Sequence, residues 1–75
     1  MALDGGQDGL RFYRGMMEIW VPNLRPGGWI SVEIGEEQGP GVRDLFAAEG
    51  LTEIQILQDF AGLDRVVRGH KPYHL

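Results

Sequence analysis

The residues best suited to chemistry are Glu33 and Gln38, which flank the carboxyl end of a strand predicted to be buried, central and parallel. Ligands of open α/β sheets bind beyond the carboxyl ends of the strands. A carboxylate there accepts hydrogen bonds and an amide both donates and accepts them, so this pair could orient a polar substrate group. The structural alternative is that Glu33 caps a neighbouring loop and Gln38 begins a helix.

Other candidates have simpler interpretations. Gly5-Gly6 and Gly27-Gly28 could cradle a phosphate, but neither pair stands between a strand and a following helix, so turns are favoured. Arg14, near the start of the first predicted helix, is free to reach a ligand, whereas Tyr13 beside it is expected in the core. Arg68 is expected to be solvated on an edge strand.

Composition excludes several classes of function. The 75 residues contain no cysteine and two histidines, so neither a disulfide nor a zinc site is expected, and no residue is assigned to catalysis, a cofactor or a metal. The net charge of −4 and the scattered cations disfavour nucleic acid. No apolar run reaches the roughly 20 residues of a membrane span and no signal-peptide pattern is seen, so a soluble, cytoplasmic location is expected.

Hydrophobic periodicity predicts an α/β chain in the order helix, strand, helix, strand, strand. A glycine-rich loop, residues 4–9, precedes the first helix, with Asp8 as N-cap and Pro22 at its end. The wide apolar surface of this helix predicts that it is covered on more than one side. The later elements are predicted as strands over 29–34, 53–57 and 65–68, a helix from Gly39-Pro40 to Gly50, and a disordered polar tail over 69–75. Leu51 is expected to fold back on the last turn of the second helix, as in a Schellman ending. Pro26-Gly27-Gly28, before the first strand, predicts a type II turn.

Connection lengths predict the topology. The middle strand-helix-strand unit should be a right-handed parallel crossover, and the last two strands should be antiparallel because a short turn joins them. Trp29 and Ser31 indicate that the second face of the first strand is also partly buried. Two helices on one face would leave the other face and one sheet edge uncovered, which favours pairing or self-association there.

Four motif blocks, in order, resemble the carboxyl-terminal third of the HemK family of release-factor glutamine methyltransferases. They are Ala2-Leu3-Asp4-Gly5-Gly6-x-Asp8-Gly9-Leu10 with Tyr13-Arg14, Pro26-Gly27-Gly28, Glu33-Ile34-Gly35-x-x-Gln38, and Asp59-x-x-Gly62-x-Asp64-Arg65-Val66-Val67. The resemblance implies the last three strands of a class I methyltransferase (Rossmann-like) sheet, with the final strand antiparallel between the other two. It also implies methyl transfer from S-adenosylmethionine to a glutamine side-chain amide of peptide chain release factors.

The family motifs for the cofactor and the substrate amide are expected upstream of Met1. Residues 1–75 are therefore predicted to form one partial domain, inactive alone and without cofactor. The resemblance leaves a substrate-side positioning role for Glu33, Gly35, Gln38 and Arg14. Two alternatives stay open: a non-catalytic interaction or self-association module, and part of another class I methyltransferase.

Overall fold

A computed structural model describes the backbone of residues 5–73 and the side chains of residues 10–73. Two α-helices and three β-strands follow one another in the predicted order. They are α1 (Gly5–Asn23), β1 (Trp29–Glu33), α2 (Gly39–Ala48), β2 (Thr52–Gln58) and β3 (Asp64–His70).

The three strands form one sheet in the order β1-β3-β2, and β3 pairs antiparallel with both neighbours. The prediction that the last strand is antiparallel is confirmed. Because β1 and β2 are both antiparallel to β3, they run in the same direction, as predicted for the ends of a crossover, but β3 separates them. The expectation that Arg68 lies on an edge strand is wrong, since β3 is the central strand.

Both helices pack on one face of the sheet. Alternate strand residues point to opposite faces, and Ile30 and Val32 of β1 are buried with Met17 of α1 and Phe46 of α2 in a single core. Trp29, Ser31 and Glu33, on the other face, are exposed. The prediction that this second face is partly buried is wrong, because no described element covers it.

Helix α1 is longer than predicted at both ends. It begins at Gly5, so residues 5–9 are not a loop and Asp8 is not the N-cap; glycine permits helical as well as turn dihedrals. Pro22 lies within the last turn, where Asn23 Nδ2 donates to the Ile19 carbonyl at 2.7 Å. The prediction that this helix is covered on more than one side is wrong for the described part of the chain, because Phe12 and Ile19 are exposed and no described element packs over them.

The ends of α2 follow local sequence rules. Pro40 occupies the first turn, as predicted. At the other end Gly50 has φ +88°, and the amides of Leu51 and Gly50 donate to the carbonyls of Phe46 and Ala47 at 3.1 and 3.0 Å. This is a Schellman ending, with Leu51 folded back into the core beside Phe46.

The proline-glycine turn before β1 has the predicted type II geometry. The amide of Gly28 donates to the Arg25 carbonyl at 2.8 Å, and Gly27 has φ +85°.

The predicted polar tail from Gly69 is wrong at its start, because β3 continues through Gly69 and His70. Gly69 is buried where any side chain would press on Phe46: an added Cβ would lie 2.8 Å from the ring. Lys71 is only 6% exposed, and its Nζ donates to the carbonyls of Val21 and Leu24 at 2.6 and 2.8 Å. A cation thus caps the carboxyl end of α1. His74 lies outside the described residues.

Candidate substrate-side site

The turn between β1 and α2 is fixed by Gln38. The side-chain Oε1 of Gln38 accepts a hydrogen bond from the Gly35 backbone amide at 2.8 Å. The backbone amide of Gln38 donates to the Gly35 carbonyl at 3.0 Å. A Cβ at Gly35 would lie 3.3 Å from Oε1, so even alanine would press on the amide. Gly35 and Gln38, both predicted site residues, are therefore bonded to each other directly after the strand.

Tyr13 connects this turn to α1. Its hydroxyl lies 3.0 Å from the Glu33 carbonyl and 3.1 Å from Gln38 Oε1, so one hydroxyl hydrogen is shared between two acceptors. Partial burial withdraws water from the phenol and raises the pKa of Tyr13 above its usual 10.0. The sequence predicted Tyr13 only as a core residue. A half-buried tyrosine on a helix signals that the hydroxyl needs a partner, but not which one.

The other two predicted site residues stand apart from this hydrogen-bonded group. The Glu33 carboxylate is exposed and makes no hydrogen bond within the described part of the chain; only its backbone carbonyl joins the turn. The loop-cap interpretation of its side chain is therefore wrong. Arg14 is exposed, one residue beyond Tyr13. Among the described strands β1 is an edge strand, not the predicted central one.

The hairpin between β2 and β3 is held by the Asp59 carboxylate. Oδ1 accepts from the amides of Ala61 and Leu63 at 2.9 and 3.0 Å, and Oδ2 accepts from Arg65 Nε at 2.7 Å. The hydrogen bond from Arg65, aided by those from the two amides, holds the pKa of Asp59 below its usual 3.8. Arg65 therefore stabilises this turn.

The hairpin and the β1–α2 turn touch. The Ile34 amide donates to the Arg65 carbonyl at 2.9 Å. Asp64, whose Oδ1 accepts from Gln58 Nε2 at 2.9 Å, lies against the first residue of α2, since a Cβ at Gly39 would be 2.5 Å from Oδ2. A carboxylate suits this place because the amino end of a helix carries partial positive charge. Both loops therefore lie at the same end of the sheet, where β1 and β2 end and β3 begins.

Two clefts of about 390 and 260 Å³ run between α1 and the free edge of β1. Both contact Trp20 and Ser31, so they form one groove along the strand. Their lining is mainly aromatic and aliphatic, and its polar groups are few: Asn23, Ser31, Glu33 and the Tyr13 hydroxyl. Such a groove suits an apolar segment better than a charged ligand.

The uncovered face of the sheet carries a cluster that the sequence did not predict. The Arg68 guanidinium lies 4.1 Å from the centre of the Trp29 ring, and the His70 ring lies 4.8 Å from it. The strand register explains the cluster, because Trp29 pairs with His70 and Arg68 lies diagonally across β3. Arg68 is therefore stacked on an aromatic ring, and the prediction that it is simply solvated is wrong.

No helix in the described residues is long and apolar enough to cross a membrane.

The fold and site define a small α/β unit. It has a turn after β1 that is held by hydrogen bonds of Tyr13 and Gln38, and an open groove beside β1. Its sequence is 46% identical over 71 residues to a release factor glutamine methyltransferase of Caulobacter vibrioides, covering 95% of this chain and 25% of that protein. Enzymes of the same name from Geobacter sulfurreducens and Moorella thermoacetica are 46% and 48% identical over 91% and 87% of this chain, and 24% and 23% of theirs.

The predicted family is confirmed: the chain is homologous to the carboxyl-terminal quarter of release factor glutamine methyltransferases. It spans about a quarter of the length of the curated relatives it matches. No family model and no solved structure matches it.

Proposed function

We propose that this chain is the carboxyl-terminal part of an S-adenosylmethionine-dependent methyltransferase domain that methylates a glutamine side-chain amide of peptide chain release factors. The observation that carries the proposal is 46% identity to an enzyme of that name along 95% of the chain. The antiparallel β3 between two strands of like direction supports a class I methyltransferase sheet, because the family resemblance implies the same arrangement.

In this proposal the chain positions the substrate and does not carry the chemistry. Tyr13 and Gln38 fix the turn after β1, and the side chains of Glu33 and Arg14 are exposed and so available for contact with the acceptor protein. Holding an acceptor amide in line with a methyl group is the main requirement of a direct displacement.

The described residues do not fit the cofactor by themselves. The groove beside β1 is open and mainly apolar, with no cationic side chain for a carboxylate group and with Glu33 as its single anionic side chain. No step through S-adenosylmethionine is therefore assigned to this chain. The same groove and the unpaired edge of β1 give the rest of a larger sheet a place to pack.

A chimera tests the proposal. The Caulobacter vibrioides enzyme would carry these 75 residues in place of its own matching quarter, and methyl transfer from labelled S-adenosylmethionine to intact release factor would be measured. We expect activity in the chimera and none in the enzyme truncated before the segment. The 75-residue chain alone should neither transfer methyl groups nor release heat on titration with the cofactor.

A chimera with native circular dichroism and a single sedimenting species, yet no transfer, would contradict the proposal. Tight cofactor binding by the 75-residue chain would contradict its predicted inactivity.

A second candidate function is a self-associating module. The observation favouring it is the exposed aromatic surface of Phe12, Trp20 and Trp29 beside the free edge of β1. Unpaired strand edges bordered by apolar side chains recruit further strands.

A further inference from the structure

We infer that Phe60, at the tip of the β2–β3 hairpin, is a contact residue for the protein substrate; the inference rests on the proposed function. Phe60 is fully exposed, and its ring packs on no described part of the chain. It therefore contributes nothing to the core and presents a large apolar group to whatever meets this loop.

The hairpin lies at the same sheet edge as the candidate site. Strands β1 and β2 run in the same direction, so the β1–α2 turn and the hairpin both leave the sheet at its carboxyl edge. The bond from the Ile34 amide to the Arg65 carbonyl, 2.9 Å, joins them directly. A protein whose acceptor side chain reaches Gln38 thus approaches the end of the sheet that also carries Phe60.

The loop holds its shape without help from the Phe60 ring. The Asp59 carboxylate bonds to Ala61, Leu63 and Arg65, and the backbones of Asp59 and Leu63 also bond to each other at 3.0 Å. An aromatic side chain on a preorganised loop buries a large area for little loss of entropy. Aromatic anchors of this kind dominate the energetics of protein interfaces.

The geometry favours a protein over a small ligand. A hairpin tip is convex and cannot enclose a small molecule, whereas an apolar depression on a protein surface can receive one ring. The occupant we assign is therefore the acceptor protein, the release factor of the proposed function.

The chimera of the preceding experiment provides the test, with Phe60→Ser as the variant and Leu57→Ser, which removes a half-exposed apolar side chain from the neighbouring strand, as the matched control. We expect F60S to raise KM for intact release factor roughly tenfold with little change in kcat. KM for a short peptide carrying the acceptor glutamine should be unchanged. Phe60→Tyr should restore the KM, and Leu57→Ser should leave it near that of the unmodified chimera.

Equal KM values for intact release factor in F60S and the unmodified chimera would overturn the inference while leaving the proposed function in place. Equal losses with protein and peptide, together with a lower melting temperature, would also overturn it, because Phe60 would then pack within the enzyme. If the chimera binds release factor without turnover, the dissociation constants of the same variants decide. A folded chimera that neither binds nor methylates release factor would contradict the proposed function, on which the inference about Phe60 rests.

Discussion

The Tyr13 hydroxyl joins parts of the chain that are 20 and 25 residues apart, and it does so through one shared hydrogen. Its acceptors, the Glu33 carbonyl and the Gln38 amide oxygen, bracket the turn that carries the candidate site. The turn depends on this tie because Glu33 and Gln38 are otherwise fixed only by neighbours in the sequence and by the sheet. The Tyr13 hydroxyl on α1 therefore helps to hold the turn that follows β1.

Replacing Tyr13 by phenylalanine should lower the free energy of unfolding by about 1 kcal/mol, because a net hydrogen bond is lost and Gln38 Oε1 keeps only the Gly35 amide. The measurement is urea denaturation followed by tryptophan fluorescence. Tyr73→Phe is the control, since the exposed Tyr73 hydroxyl makes no hydrogen bond within residues 10–73. Equal losses in the two variants would show that the Tyr13 tie does not stabilise the turn.

Asp59 should make the hairpin sensitive to acid. Its pKa is lowered in the folded chain, chiefly by Arg65, so its contribution to stability is fully present above pH 3.8 and is lost as pH falls through the lower folded value. Asp59→Ala should remove this acid dependence and destabilise the chain at neutral pH. Melting temperatures measured between pH 2 and 7 test this; an unaltered acid limb in D59A would contradict it.

At the scale of the element, the ends of α2 show how local rules fix a structure. Gly50 adopts a left-handed conformation that L-residues with side chains disfavour, and it lets Leu51 turn back into the core. All the groups involved lie within six residues of one another. Helix α1, by contrast, ends on a contact from Lys71, 47 and 50 residues away.

Replacing glycine by alanine should have opposite effects just beyond the end of α2 and inside α1. Gly50→Ala should cost about 1 kcal/mol of stability, because alanine resists a positive φ. Gly15→Ala should add roughly 0.5 to 1 kcal/mol, because Gly15 lies inside α1 with nothing within 4 Å of an added Cβ. Denaturant midpoints measure both, and the same sign in both variants would refute the account.

The difference in sequence separation between these contacts explains which features the sequence could predict. The Schellman ending at Gly50, the type II turn at Gly27 and the antiparallel final strand follow from neighbouring residues and were predicted. The tie from Tyr13 and the cap from Lys71 were not, because pattern and propensity contain no information about which distant groups meet. In the candidate site, Gly35 and Gln38 were predicted and lie together, whereas Tyr13, which fixes them, was given only a core role.

At the scale of the whole molecule, the elements within residues 5–73 cover one face of the sheet and leave the edge of β1 free. Exposed Phe12, Trp20 and Trp29 follow that edge. In a larger domain further strands and helices would cover this surface, and without them it is available to other chains.

The 75-residue chain should therefore associate with itself as its concentration rises. Trp20→Lys should reduce association, because it places a charge in the groove beside β1. Ile19→Lys, on an exposed part of the same helix outside the groove lining, is the matched control. Sedimentation equilibrium over a hundredfold concentration range measures this; a strictly monomeric unmodified chain would count against it.

Lys71 is the sole lysine of the chain, and its amino group is buried and bonded to two carbonyls. It can therefore serve as an internal reporter for acylating reagents. Acylation of Lys71, mapped by mass spectrometry, should be far slower than that of a free amine and should accelerate in denaturant, since it requires the end of α1 to separate from β3. Fast acylation under native conditions would mean that the contact between Lys71 and the end of α1 opens readily. Any label or surface coupled to Lys71 would then break its two hydrogen bonds to α1.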